Sequence, residues 1–192
     1  MNNSFFALIF RQRYITRWGL MRNIHNENLA EHSAQVAMLA HVMAKIGNKK
    51  LGKHYDLEKI TLSALYHDAT EIYTGDMPTP VKYYNSVIRE NYAEIEENAR
   101  KQLTDHLPEY LRDDFEEILS EGDEETHKIV KAADKLCAYI KCVEELKCGN
   151  SEFADAAKTT LQSLRDYNCH ELDIFMEEFL PSFEMTLDEL QK

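Results

Sequence analysis

Glycine and proline are sparse, six and four in 192 residues, which leaves long stretches with nothing to interrupt a helix. Cysteine is as scarce. Cys137, Cys142, Cys148 and Cys169 form no C-x-x-C pair, so neither a zinc ribbon nor a disulfide scaffold is suggested, and the four read as reduced, mostly packed thiols. Basic residues are outnumbered, 22 Lys and Arg against 34 Asp and Glu, and the formal charge of -12 argues against binding a nucleic acid polymer through its phosphates. The same acidity disfavours an anionic membrane surface. The early apolar run at residues 5–10 is too short to cross a membrane and lacks the flank and cleavage pattern of a signal peptide. The expected compartment is the cytoplasm, with no membrane partner.

What is present suits a packed interior. The chain is 44% hydrophobic, with ten Tyr, eight Phe and one Trp, too apolar for disorder. Its length is that of one domain, expected over residues 1–192. From His32, the positions Val36, Leu39, Met43 and Ile46 keep a helical rhythm that stops at Gly47. A second helical stretch runs from Leu57 to about Tyr73, with Ile60, Ala64, His67 and Glu71 on one stripe. A third carries Ile88, Tyr92, Ile95, Ala99 and Leu103, with no Gly or Pro between Val81 and Leu107. Shorter segments are expected at 109–120, 151–167 and 170–180, and a long one from Asp123 to Leu146 whose stripe is Ile129, Ala133, Leu136, Ile140 and Val143. No stretch alternates with period two. The fold class is all-α, a single helical bundle.

Several polar residues interrupt these stripes. In Tyr66-His67-Asp68-Ala69-Thr70-Glu71, His67 and Glu71 share a helical face and Asp68 lies about 100° to one side. A buried carboxylate without compensation costs several kcal/mol, roughly, so it is normally paired, protonated or metal-bound. His32 opens one helix, and Asp134 breaks the small, apolar run around Ala132-Ala133 and Leu136-Cys137-Ala138. Each has a plainer explanation alone. His67 could be a hydrogen-bonded core histidine with Asp68 as its partner, His32 a helix-start residue beside Glu31, and Asp134 an ion-pair partner of Lys131 or Lys135. Taken together, in the order His, His-Asp, Asp, they point to one divalent metal ion held by His32, His67, Asp68 and Asp134. Mixed nitrogen and oxygen donors suit manganese, cobalt, iron or zinc over calcium.

With these residues the chain resembles the HD-domain phosphohydrolases, and more closely the bacterial HD-domain 5'-deoxynucleotidases. The resemblance runs nearly end to end. It is carried by Arg17-Trp18, Glu31-His32-Ser33, Tyr66-His67-Asp68-Ala69, Gly75-Asp76-Met77-Pro78-Thr79-Pro80-Val81-Lys82 and Ala133-Asp134-Lys135-Leu136-Cys137-Ala138-Tyr139, with Pro181-Ser182-Phe183 and Leu187-Asp188-Glu189 near the end. It implies a single HD domain, a homodimer, and a cobalt or manganese ion, with zinc, iron or copper as alternatives. The implied reaction is hydrolysis of a deoxyribonucleoside 5'-monophosphate to the deoxyribonucleoside and phosphate. A metal would contact a phosphate oxygen and lower the pKa of a bound water.

The resemblance also implies roles. Glu71 would be the catalytic carboxylate that accepts a proton from water; the alternative is a carboxylate that holds His67 in its tautomer. Asp76 would transfer a proton or bond the substrate. Arg17 would grip phosphate and Trp18 would face the sugar, excluding a 2'-hydroxyl; without the resemblance, Arg17 in solvent and Trp18 in the core is the plainer reading. His32, Asp68, Asp134, Met77, Pro78 and Thr79 complete the expected substrate contacts, with residues 76–80 as a proline-stiffened loop. The acidic runs at 94–97 and 113–117 read as solvated faces. Two other functions remain open: an HD hydrolase acting on a cyclic nucleotide or alarmone pyrophosphate, and a regulatory module that binds a nucleotide without hydrolysing it.

Overall fold

The computed structural model describes residues 3–82, 84–120 and 122–192, together with the backbone alone at 79 and 80. Among these residues there is no sheet, only an isolated antiparallel bridge between Thr16 and Asn28. The all-α expectation holds. A short α1 (Phe5–Ile9) and a 3-10 turn lead into an irregular segment at 15–28, and α2 (Leu29–Lys50) follows. Next come α3 (Leu57–Tyr66), α4 (Glu71–Thr74), α5 (Thr79–Lys82), α6 (Ser86–Thr104) and α7 (Glu109–Leu119). The long α8 (Glu124–Lys147) precedes α9 (Ala154–Arg165), α10 (His170–Glu178) and a last turn, α11 (Leu187–Leu190). No helix among the described residues is long and apolar enough to cross a membrane.

The core lies where α2, α3 and α8 meet, flanked by α9 and α10. Met43, Ile60, Leu136 and Leu172 are sealed from solvent there, each side chain contributing about 1.5–3 kcal/mol by leaving water. A smaller cluster of Phe5, Ala69, Leu103 and Leu107 ties the N-terminal turns to α6. The four thiols are free, with Cys137, Cys142 and Cys169 buried, as their packed reading requires.

Several boundaries differ from expectation, each for a local reason. α2 does not stop at Gly47 but runs on to Lys50, and Gly47 serves packing instead, since a Cβ there would run into the Tyr55 ring. α2 begins at Leu29, three residues before His32. Asn28 Oδ1 accepts from the amides of Ala30 and Glu31 at 3.1 Å, and Glu31 returns a bond to the Asn28 amide, which completes a capping box. The helix expected to reach Tyr73 ends at Tyr66. Beyond it Ala69 bonds back to Tyr66 and Glu71 back to Asp68, three residues rather than four, so residues 67–70 form a tightened turn. The long helix through Val81 is divided, because Asn85 caps α6 by accepting from the Ile88 amide at 2.8 Å; Tyr83 lies outside the described residues. Residues 151–153 form a 3-10 turn before α9.

The irregular segment 15–28 is fastened to the far end of α8. Glu145, sealed from solvent, accepts from the amides of Ile24 at 3.0 Å and His25 at 3.1 Å and from Asn150 Nδ2 at 2.7 Å. Lys141 donates both to Glu145 and to the His25 carbonyl. Removing one partner of such a pair leaves the other charge buried and alone. Glu145→Ala is therefore expected to cost about 3–5 kcal/mol in urea unfolding, with a far smaller loss for Glu125→Ala, whose partner Lys53 is exposed. Equal losses would refute the anchoring role.

Candidate active site

The capping box places His32 one turn inside α2, fully buried. His67 and Asp68 sit in the tightened turn after α3, and Asp134 lies near the middle of α8. Packing of α2, α3 and α8 brings the four together. His67 Nε2 is 3.0 Å from Asp68 Oδ2 and 4.0 Å from Asp134 Oδ1. His32 Nε2 is 3.1 Å from Asp134 Oδ1 and 3.6 Å from Asp68 Oδ2. Ligands about 2.0–2.2 Å from one ion stand roughly 3–3.5 Å apart. Two of these spacings fall in that range and two are wider, and His32, His67 and Asp68 lie close enough together to hold one ion, with Asp134 beside them. Of the two plainer partners for Asp134, Lys135 donates to Ser163 Oγ at 2.8 Å instead, while Lys131 adds positive charge near it.

The hydrogen bonds test the fit further. His67 Nδ1 lies 2.8 Å from the Ala64 carbonyl; a carbonyl only accepts, so the proton is on Nδ1 and Nε2 keeps its lone pair. That Nε2 is buried without a hydrogen-bond partner, yet it faces two carboxylates. A lone pair aimed at carboxylate oxygens is repulsive unless a cation stands between them, so the donor set fits a metal. Burial raises the Asp68 pKa, but the His67 and His32 imidazoles outweigh it and hold the carboxyl down at about 2. Asp134 is likewise held well below the carboxylate range, by the hydrogen bond from His32 and the nearby imidazoles against its burial.

Glu71 stands apart electrically. Burial, then the like charges of Asp68 and Asp76, push its carboxyl up to about 9, and its Oε2 is enclosed with no hydrogen-bond partner. The tightened turn changes its expected alignment: at three residues per turn, Glu71 lines up with Asp68 rather than with His67.

Arg17 reaches the same point from segment 15–28. Its Nη1 is 3.6 Å from Asp68 Oδ2 and 3.9 Å from Asp76 Oδ1, and its side chain is 13% exposed, which rules out the reading of a solvent-facing arginine. Trp18 is half-buried against Phe153, ring centroids 5.4 Å apart, and donates from Nε1 to Glu27 Oε2 at 3.1 Å. Its φ of +57 is positive, unlike any other non-glycine among the described residues. Gly75, at φ +71, turns the chain out of α4 so that Asp76 follows. Burial raises the Asp76 pKa against the pull of Arg17. Met77 is half-buried and Pro78 exposed in the loop that leads away, while Thr79 opens α5 rather than continuing that loop. The side chains of Thr79 and Pro80 lie outside the described part.

Sequence reasoning missed Glu27. It is 8% exposed, and its Oε1 is 3.3 Å from Arg17 Nε and 3.2 Å from His32 Nδ1, with both N–H directions off the line to the oxygen. It lies outside any helical stripe, and the available signal was its place just before the Asn28 cap.

A model of the family described as 5'-deoxynucleotidase YfbR-like matches residues 4–183. The chain belongs to this family. A 5'-deoxynucleotidase of Klebsiella pneumoniae is 50% identical over 192 residues, 99% of this chain and 96% of that one. The 5'-deoxynucleotidase YfbR of Escherichia coli is 50% identical over 193 residues, with the same coverage of 99% and 96%. Among solved structures, an HD-domain phosphohydrolase from Listeria innocua has a TM-score of 0.82 at 24% identity, covering 98% of this chain and 92% of its own. A cyanophage S-2L HD phosphohydrolase, solved with dA and one catalytic Zn2+ ion, has a TM-score of 0.68 at 21% identity over 94% and 96%. At such identities the likeness speaks to the fold, and it agrees with the HD-domain bundle. The YfbR-like 5'-deoxynucleotidase family also bears out the expected enzyme class and its reaction on deoxyribonucleoside 5'-monophosphates.

Burial opposes protonation of His32, but Asp134, Cys137 and Glu27 outweigh it and raise its pKa well above the ordinary value. A proton therefore competes with a cation for Nε2 at neutral pH and above. Divalent-metal affinity is expected to rise with pH through and beyond the usual histidine range, with protons released on binding. Titration calorimetry in buffers of different ionisation heat measures this, and uptake with no proton release would refute it.

Proposed function

We propose that this member of the YfbR-like family hydrolyses deoxyribonucleoside 5'-monophosphates at the cluster around Asp68. The observation that carries the proposal is a shared oxygen: Asp68 Oδ2 lies 3.0 Å from His67 Nε2 and 3.6 Å from both His32 Nε2 and Arg17 Nη1. A phosphate-sized anion has a planar cation beside the metal ligands, which suits phosphoryl chemistry. His32, His67, Asp68 and Asp134 would hold the ion, with cobalt or manganese as the first candidates. Bound there, a divalent ion supplies Lewis-acid charge and an activated water.

In this reading the residues divide the remaining work. Arg17 holds phosphate oxygens through its guanidinium, and Asp76 and Glu27 fix the direction from which it approaches. Glu71 moves the proton. Its carboxyl is held protonated near neutral pH by burial and by Asp68 and Asp76, and positive charge added beside Asp68 offsets that repulsion and returns it to the ionised form. As a carboxylate it accepts a proton from the attacking water; as an acid it can return one to the departing 5'-oxygen. Trp18, braced by Phe153 and Glu27, presents a rigid face where a 2'-hydroxyl would crowd it. Met77, Pro78 and Thr79 would meet the nucleoside from the loop after Asp76. The single HD domain would act as a cytoplasmic homodimer, which light scattering after size exclusion would check.

Glu71→Gln is expected to lower phosphate release from dAMP by about 100-fold or more while leaving metal content unchanged, as read by phosphate assay and elemental analysis. Full activity would remove Glu71 from the reaction. In a panel of deoxynucleotides and ribonucleotides with added manganese or cobalt, dAMP should be turned over well above AMP, with wide tolerance of bases. Equal turnover of the two would remove the sugar-selecting role of Trp18, and faster hydrolysis of cyclic nucleotides or pyrophosphates would overturn the substrate assignment.

A further inference from the structure

We propose that Glu27 is a positioning residue whose two carboxylate oxygens set both the tautomer of His32 and the direction of the Arg17–Trp18 pair, joining metal binding to nucleotide binding. The proposal rests on the metal assignment above and concerns a residue outside the HD ligand set.

Glu27 faces three nitrogen donors from two parts of the chain. Oε1 meets His32 Nδ1 at 3.2 Å and Arg17 Nε at 3.3 Å, and Oε2 accepts from Trp18 Nε1 at 3.1 Å. The backbone repeats the tie, since the Glu27 carbonyl accepts from the Arg17 amide at 3.0 Å. With nitrogen donors facing both of its oxygens, Glu27 sits in the surroundings of a carboxylate. An ionised carboxylate is acceptor-only. A proton on His32 Nδ1 is then favoured, so Nε2, beside Asp134 and Asp68, is the nitrogen that gives up its proton to a cation. A carboxylate behind a metal-ligating imidazole fixes its ring and raises its basicity.

The same carboxylate offsets a cost elsewhere. Trp18 has a φ of +57, a backbone state that residues with a side chain rarely adopt. The indole hydrogen bond to Glu27 helps hold that conformation and, with it, the neighbouring Arg17 guanidinium beside Asp68 and Asp76. Cys137 approaches Glu27 and His32 closely enough to suggest a second cation site. It donates to Gln35 Oε1 at 3.3 Å instead, and Glu27 Oε1 lies 3.2 Å from His32 Nδ1 and 3.3 Å from Arg17 Nε, so Glu27 reads as a support for His32.

Glutamine is the discriminating substitution because it has the same shape and one acceptor oxygen. With that oxygen toward His32 and Arg17, the amide N–H group opposes the Trp18 indole N–H; flipped, it opposes the other two donors. Glu27→Gln is expected to weaken divalent-metal affinity by about 10–100-fold and to raise KM for dAMP, with the circular dichroism spectrum unchanged. Adding Trp18→Phe removes the opposing indole donor, so the double variant should recover much of the metal affinity while KM stays high. A purely structural role for Glu27 would not give this split.

The wild-type chain loaded with diamagnetic zinc supplies a test free of any folding defect. Its His32 should show a protonated Nδ1 in nitrogen-15 NMR. The opposite tautomer, or Glu27→Gln with wild-type metal affinity and KM, overturns this proposal and leaves the metal assignment standing. A wild-type chain that takes up no divalent metal overturns both.

Discussion

Asp68 and Asp134 place carboxylate oxygens within 3.0–4.0 Å of the same two imidazole nitrogens, between helices whose facing sides are otherwise apolar. Carboxylates confined this way repel one another, and with side chains only 16% and 27% exposed they are weakly screened by solvent. The rest of the site is arranged around that repulsion. Arg17 enters from segment 15–28 to supply positive charge, Glu71 avoids adding negative charge by holding its proton, and His67 keeps its Nε2 lone pair for an ion. A chain of net charge -12 binds an anionic substrate only where such a local reversal of sign exists. Its outer surface adds to the selection, because long-range repulsion of anions is screened by salt whereas contacts inside the cluster are much less so.

Much of this was legible in the sequence because helices give polar interruptions a definite direction. His32, His67 and Asp134 stand where apolar stripes should continue, and tertiary packing did bring them together. Arg17, Trp18 and Asp76 carried no such signal; their significance came from a resemblance, and their convergence depends on an irregular segment without periodicity. Glu27 was invisible for the same reason. The break after Tyr66 was hidden because every residue from His67 to Glu71 is compatible with a helix. It is seen only in hydrogen bonds that span three residues instead of four.

Lys141 and Glu145 show the opposite failure. A lysine and glutamate four apart are the pattern of a solvated helix face, and composition alone does not distinguish a surface pair from a sealed one. What distinguishes this pair is the strand of irregular backbone laid over it, whose amides and carbonyl need partners once removed from water. The same pair therefore holds Arg17, Trp18 and Glu27 in place from below, from a point about two to three turns along α8 from Asp134.

Both ends of that dependence are on α8. Asp134 faces the cluster, and Glu145 fastens the segment that carries Arg17, eleven residues and about 16 Å further along. A rigid helix here acts as a gauge between two parts of the site. Adding or deleting one residue between them would lengthen or shorten the gauge by about 1.5 Å and rotate one end against the other by about 100°, misaligning either the ligand or the fastening. By contrast, α7 has no buried residue among those described and sets no such distance. Length variation within this lineage is thus expected to accumulate around α7 and to be purged from the middle of α8, whatever the local tolerance for substitution.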